Sequence, residues 1–137
     1  MGKAIGIDYG TKRTGIAITD VMQIIATGLT TISTHELDKF IAEMIDKDDI
    51  SCFVIGSPIN LDGSKTDITS HVDGFVKRLK HQYSRIPVHH IDERFTSKIA
   101  KRSILMSGVK KKVRQNKELV DKISATIILQ DYLDRKS

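Results

Sequence analysis

Tryptophan is absent from this chain, and the aromatic content is only 5%. That argues against a surface built to stack successive bases of a single strand. There is one cysteine, Cys52, which excludes an intrachain disulfide framework and a cysteine-clustered zinc site. Proline occurs twice and glycine nine times in 137 residues, too few for a collagen-like or low-complexity chain. No apolar run approaches the ~18 residues that span a bilayer. The first residues, Met1-Gly2-Lys3-Ala4, lead straight into a strand-like run without a signal-peptide layout. Gly2 is a weak myristoylation signal, because position 6 is Gly rather than Ser or Thr. The expectation is one cytosolic domain spanning residues 1–137, with no membrane partner.

Charge is plentiful and unevenly spread. The net charge is +5, yet residues 98–122 alone carry +7, leaving the rest of the chain at −2. Lys110, Lys111, Lys112 and Arg114 form the densest part of this window. A basic block on a near-neutral body is the footprint expected for a polyanion such as nucleic acid. The plainer reading is a solvated charged loop.

The hydrophobic pattern predicts β-β-β-α-β-α-β-α-α. Residues 4–9, 14–19 and 24–32 read as three strands joined by short turns, which suits antiparallel neighbours. Leu37, Phe40, Ile41, Met44 and Ile45 recur at helical spacing, with Thr34 as the expected N-cap. Residues 51–56 are a short apolar run, the pattern of a strand buried on both faces, where Cys52 fits as a small hydrophobe. A helix stripe from Ile68 to Tyr83, a strand over 86–91, a helix from about 96 to 107 and a helix over 118–133 follow. The expected architecture is α/β: three layers, with helices flanking a mixed five-stranded sheet of three antiparallel and then two parallel strands.

Three acids stand out by position. Asp8 ends an apolar strand, Glu93 follows the last strand, and Asp121 lies early in the last helix. Ligand sites of open α/β sheets gather at the carboxyl ends of strands. Strands one and five can bring Asp8 and Glu93 to one sheet edge, and the last helix can lay Asp121 against it. Three carboxylates at one place repel unless a cation sits between them. Hard oxygen donors suit Mg²⁺ or Mn²⁺. Taken singly, Asp8 could start a turn, Glu93 could pair with Arg94, and Asp121 could be a favourable charge at a helix N-terminus. In the loop after strand four, Asn60 and Ser64 can donate to phosphate or sugar; a plain turn is the alternative. Of His89 and His90, adjacent on a strand, one should face inward and one outward.

Four segments carry a family resemblance. Asp8-Tyr9-Gly10-Thr11-Lys12-Arg13-Thr14-Gly15 resembles the opening motif of the YqgF/RuvX family within the RNase H-like superfamily. Gly56-Ser57-Pro58-Ile59-Asn60-Leu61-Asp62-Gly63-Ser64 is similar to its second motif, and Asp92-Glu93-Arg94-Phe95-Thr96-Ser97 to its third. Val120-Asp121-Lys122-Ile123-Ser124-Ala125 resembles its fourth. The four occur in order and cover essentially the whole chain. The resemblance implies an RNase H-like fold and metal-dependent phosphodiester hydrolysis. Asp8, Glu93 and Asp121 match the family's metal-binding acids. Related junction resolvases carry a further acid three residues after the last of these, where this chain has Ser124.

The implied substrate is a ribosomal RNA precursor, cut at its 5′ end, or branched DNA. Lys12, Arg13 and Arg94 would neutralise the scissile phosphate, Arg94 having a pair with Asp92 as its alternative. A two-fold-symmetric junction calls for a dimer and RNA-end trimming does not, so the expected state is a monomer or weak homodimer. Two other classes compete. An actin- or hexokinase-like ATPase opens with a similar segment but needs two domains to close on its nucleotide. A non-catalytic nucleic-acid-binding module of the same fold would have no use for the three acids.

Overall fold

The computed structural model describes residues 2–57, 69–92 and 117–136. Within them, five strands form one sheet in the order β3-β2-β1-β4-β5. β1 (Lys3–Asp8), β2 (Arg13–Thr19) and β3 (Ala26–Ser33) are antiparallel neighbours. β4 (Ile50–Ser57) runs parallel to β1, and β5 (Val88–Asp92) parallel to β4. The mixed sheet is the one the sequence pattern calls for.

The two faces are packed differently because the residues alternate. On β1, Ile5 and Ile7 point to one face, with Ile16, Phe53 and Ile55 from the neighbouring strands. There they meet Leu37, Ile41 and Met44 of α1 (Leu37–Lys47) and Val72, Phe75, Val76 and Leu79 of α2 (Thr69–Gln82). Tyr9 stacks on Phe75 with ring centroids 5.2 Å apart, so it packs. The opposite face is made of small residues: Ala4, Ala17, Cys52 and Val54, with Ile91. One helix, α3 (Lys117–Lys136), lies on it through Ala125, Ile128 and Leu129. Each fully buried Leu, Ile or Phe is worth about 1.5–3 kcal/mol, so both faces contribute heavily to stability. Cys52 is buried beneath α3, with Sγ 3.9 Å from the Tyr132 hydroxyl.

The boundaries of β1, β2 and β4 fall within one residue of the sequence reading, and three larger departures each have a visible reason. β3 starts at Ala26 rather than at 24, because the Ile24 and Ile25 amides donate to Asp20 Oδ1 at 2.8 and 2.9 Å. Those same amides hold the Asp20 carboxyl below its ordinary pKa. β5 starts at Val88 rather than at 86. The Ile86 amide turns back to the Tyr83 carbonyl, and Pro87 has no N–H to place in a ladder. Thr34 is not the N-cap of α1. It opens a 3₁₀ turn (Thr34–Glu36), Glu36 occupies the cap position without a side-chain bond, and the Thr34 hydroxyl donates to Gly10 O at 2.6 Å. The expected helix over 96–107 lies outside the described residues.

Candidate active site

Because β1, β4 and β5 are parallel, their carboxyl ends share one edge of the sheet. The last residues there are Asp8, Ser57 and Asp92. Asp8 follows Ala4 and Gly6 on the face that α3 covers, and its side chain is half-buried. The strand thus ends an apolar run on a carboxylate that faces the helix layer.

The path of α3 shows which of its ends meets this edge. Lys122 and Thr126 lie against Gly28 of β3, and Ala125 and Leu129 against Gly6 of β1. Further along, Gln130 Oε1 accepts from the Ala26 amide at 3.1 Å, and the Tyr132 ring lies 4.9 Å from that of His89. Tyr132 also reaches Cys52, which pairs with Ala4 near the start of β1. The C-terminal half of α3 therefore points to the edge where β1 begins, and its N-terminal turns to the edge where β1 ends. Asp121 is four residues before Ala125, just over one turn or about 6 Å nearer that edge on the same helical face. Asp8 is two residues beyond Gly6, about 6.6 Å in the same direction. The backbone therefore carries Asp121 toward the end of the sheet where Asp8 lies; the side chain of Asp121 is outside what is described.

Close approach of helix and sheet depends on glycine. A Cβ at Gly6 would stand 2.8 Å from Leu129 Cβ and 3.1 Å from the Ala125 carbonyl oxygen. Ser124 is buried, at 1% exposed.

Beyond Asp8 the chain turns tightly into β2, and a Cβ at Gly10 would run into the Arg13 carbonyl. Lys12 is exposed at this turn and Arg13, the first residue of β2, is half-buried. Two hydroxyls hold the turn, a role that local sequence pattern does not show: Thr34 reaches the Gly10 carbonyl, and Thr14, fully buried, lies 3.0 Å from Thr34. The pair leaves no local signal because the residues are twenty apart. Glu93, Arg94, Asn60, Ser64, Lys110, Lys111, Lys112 and Arg114 lie outside the described residues.

His89 is half-buried against Tyr132, and the next residue, His90, is exposed, as the strand alternation requires. Desolvation, with help from Lys80 and His89 and against Asp73, lowers the His90 pKa. Burial beside Cys52 pushes the Tyr132 phenol up to about 12.

The fold is found among solved resolvases. The chain superposes on the Fowlpox virus resolvase bound to Holliday junction DNA with a TM-score of 0.60, at 10% identity, covering 98% of each chain. It superposes on Thermus thermophilus RuvC, also solved with a Holliday junction substrate, with a TM-score of 0.58 at 14% identity, covering 98% of this chain and 96% of that one. Sheet order and helix layers are thus those of the fold that these resolvases share. A family model described as "RuvX: Holliday junction resolvase" matches residues 2–135. Proteins named "Putative pre-16S rRNA nuclease" are 48% identical in Bacteroides thetaiotaomicron and 49% identical in Flavobacterium johnsoniae, each over 136 residues and 99% of both chains. The chain belongs to the RuvX (YqgF) family of nucleases.

Proposed function

We propose that this chain is a divalent-metal-dependent nuclease, folded as a single domain over residues 1–137. It acts in the cytoplasm on the 5′ end of the 16S ribosomal RNA precursor. The observation that carries the substrate is the 48–49% identity, over essentially the full length, to relatives that bear that name. Among the described residues no helix is long and apolar enough to cross a membrane.

The donor chemistry fits the cation. Asp8 offers hard carboxylate oxygens at a sheet edge, and the chain's one thiol is buried under α3. Asp8, Glu93 and Asp121 would hold Mg²⁺ or Mn²⁺, which when bound supplies water activation and charge neutralisation at the leaving oxygen. Lys12, Arg13 and Arg94 offset the charge of the scissile phosphate. Asn60 and Ser64 donate to sugar or phosphate, and Lys110, Lys111, Lys112 and Arg114 bind the backbone beyond the cut.

Cleavage of a Holliday junction is the second reading, favoured by the family model's description. It requires a homodimer, whereas RNA-end trimming is served by a monomer or weak dimer. A side-by-side assay on precursor 16S RNA and a four-way DNA junction, with Mg²⁺ and with Mn²⁺, separates the two. The expected result is metal-dependent RNA cleavage that Asp8→Asn abolishes. Cleavage of the junction alone would transfer the proposal to DNA, and no cleavage of either would leave a binding module.

A further inference from the structure

We infer that Thr34, acting through Thr14, is a positioning residue that locks the Gly10–Arg13 turn into the shape that receives phosphate. The inference rests on the proposed use of Lys12 and Arg13 as phosphate contacts.

Proton accounting gives the clamp its direction. The Thr34 hydroxyl has one proton, and its 2.6 Å contact with the Gly10 carbonyl uses it, since a carbonyl only accepts. At the 3.0 Å contact between the two threonines, Thr14 must therefore donate to Thr34. The Thr14 oxygen is then free to accept, and the Gly10 amide reaches it at a longer 3.5 Å. The chain runs from the Gly10 N–H through Thr14 and Thr34 back to the Gly10 carbonyl: a closed ring on one residue. Hydrogen bonds in such chains polarise one another. Thr34 also donates its own amide to the Lys12 carbonyl at 3.0 Å. One residue at the end of β3 thereby fixes both sides of a turn that lies two residues beyond Asp8. Thr14 is fully buried, so its hydroxyl depends on these partners for satisfaction.

The test compares Thr34→Val, which keeps shape and removes the hydroxyl, with Thr34→Ser, which restores it. Amide exchange at Gly10 should quicken severalfold in the Val variant and return in the Ser variant. Affinity for two fluorescein-labelled probes, an RNA duplex with a 5′ extension and a four-way DNA junction, is read by anisotropy. It should weaken about three- to tenfold on losing one such network bond, and the Ser variant should recover it. In the cleavage assay the change should fall on KM more than on kcat. Unchanged exchange would overturn the clamp. Faster exchange with unchanged affinity and KM would overturn its positioning role. Binding does not require turnover, so a protein that binds as expected but never cleaves refutes the nuclease proposal and leaves the clamp supported.

Discussion

Adding a single methyl group at Gly6 should disturb both stability and catalysis, and the structure sets the size. The new Cβ would stand 2.8 Å from Leu129 Cβ, 3.1 Å from the Ala125 carbonyl oxygen and 3.3 Å from Leu129 Cδ2. Carbon atoms pack at about 3.5–4.0 Å, so about 1 Å of room is missing. A Cβ and a backbone carbonyl cannot swing aside as a side-chain tip can, so α3 itself must lift. Overpacking of this kind costs about 1–3 kcal/mol. Replacing a strand glycine returns about 0.5–1 kcal/mol. The clash wins, leaving a net loss of up to about 2.5 kcal/mol, or up to about 10 °C in Tm for a chain of this length. Displacing a catalytic group by 1 Å can cost about 100-fold in rate, and α3 carries Asp121. Gly6→Ala should therefore lower RNA cleavage by one to two orders of magnitude while the protein stays folded. Gly28→Ala is the internal comparison. Its Cβ would meet Lys122 Cγ and Thr126 Oγ1, both at 2.9 Å, and the long Lys122 side chain can move. Its Tm should fall less. Circular-dichroism melts and initial cleavage rates on the two variants decide the matter. A Gly6→Ala protein with wild-type Tm and rate would refute the claim that this contact sets the height of the helix over the sheet.

Asp8→Asn should reduce hydrolysis by more than about 100-fold, since even outer-shell partners of a metal cost 10–100-fold. Without metal its Tm should not drop, because a charge leaves a cluster of like charges; activity near wild type, or a lower metal-free Tm, would contradict the assignment. Replacing Lys110, Lys111 and Lys112 with Ala should make the slope of log affinity against log salt shallower, by about 0.7–0.9 for each phosphate the protein no longer neutralises; an unchanged slope would return the basic window to a solvated loop. Tyr132 binds its proton more tightly when folded, with a pKa of about 12, so its stabilisation is complete below the unfolded value of about 10 and is lost as pH rises from there to 12. Tyr132→Phe should flatten the stability profile across that alkaline window, as followed by denaturant melts; an equally steep profile would place the alkaline sensitivity elsewhere.

Much of the fold is readable in the sequence because apolar period and strand length agree. Residues 51–56 have too short a run for a helix and no polar alternation, which leaves a central strand. Asp8 is readable for the same reason, as the one charged residue closing an apolar run. What local pattern does not reveal depends on partners distant in the chain. Asp20 withholds two amides from β3 through a loop that sequence shows only as a gap between strands. Thr34 has the look of a cap because Ser, Thr, Asp and Asn are good caps, yet a carbonyl twenty-four residues away takes its hydroxyl. Gly6 and Gly28 read as mild losses of strand propensity, whereas they set how closely α3 can lie. Of the three acids, Asp8 closes β1 and Asp121 lies in the N-terminal turns of α3, while Glu93 lies outside the described residues.

Every strand of the sheet precedes α3 in the chain, and that order has a consequence during synthesis. Forty-four residues separate the end of β5 at Asp92 from the end of α3 at Lys136. At about 5–20 residues per second, a ribosome needs roughly 2–9 seconds to make them. Over that interval the face formed by Ala4, Ala17, Cys52, Val54 and Ile91 stands without the complete α3. On the proposed assignment of Asp121 to the metal site, the nascent chain would receive its last metal-binding acid only with this helix, while it is still held next to ribosomal RNA.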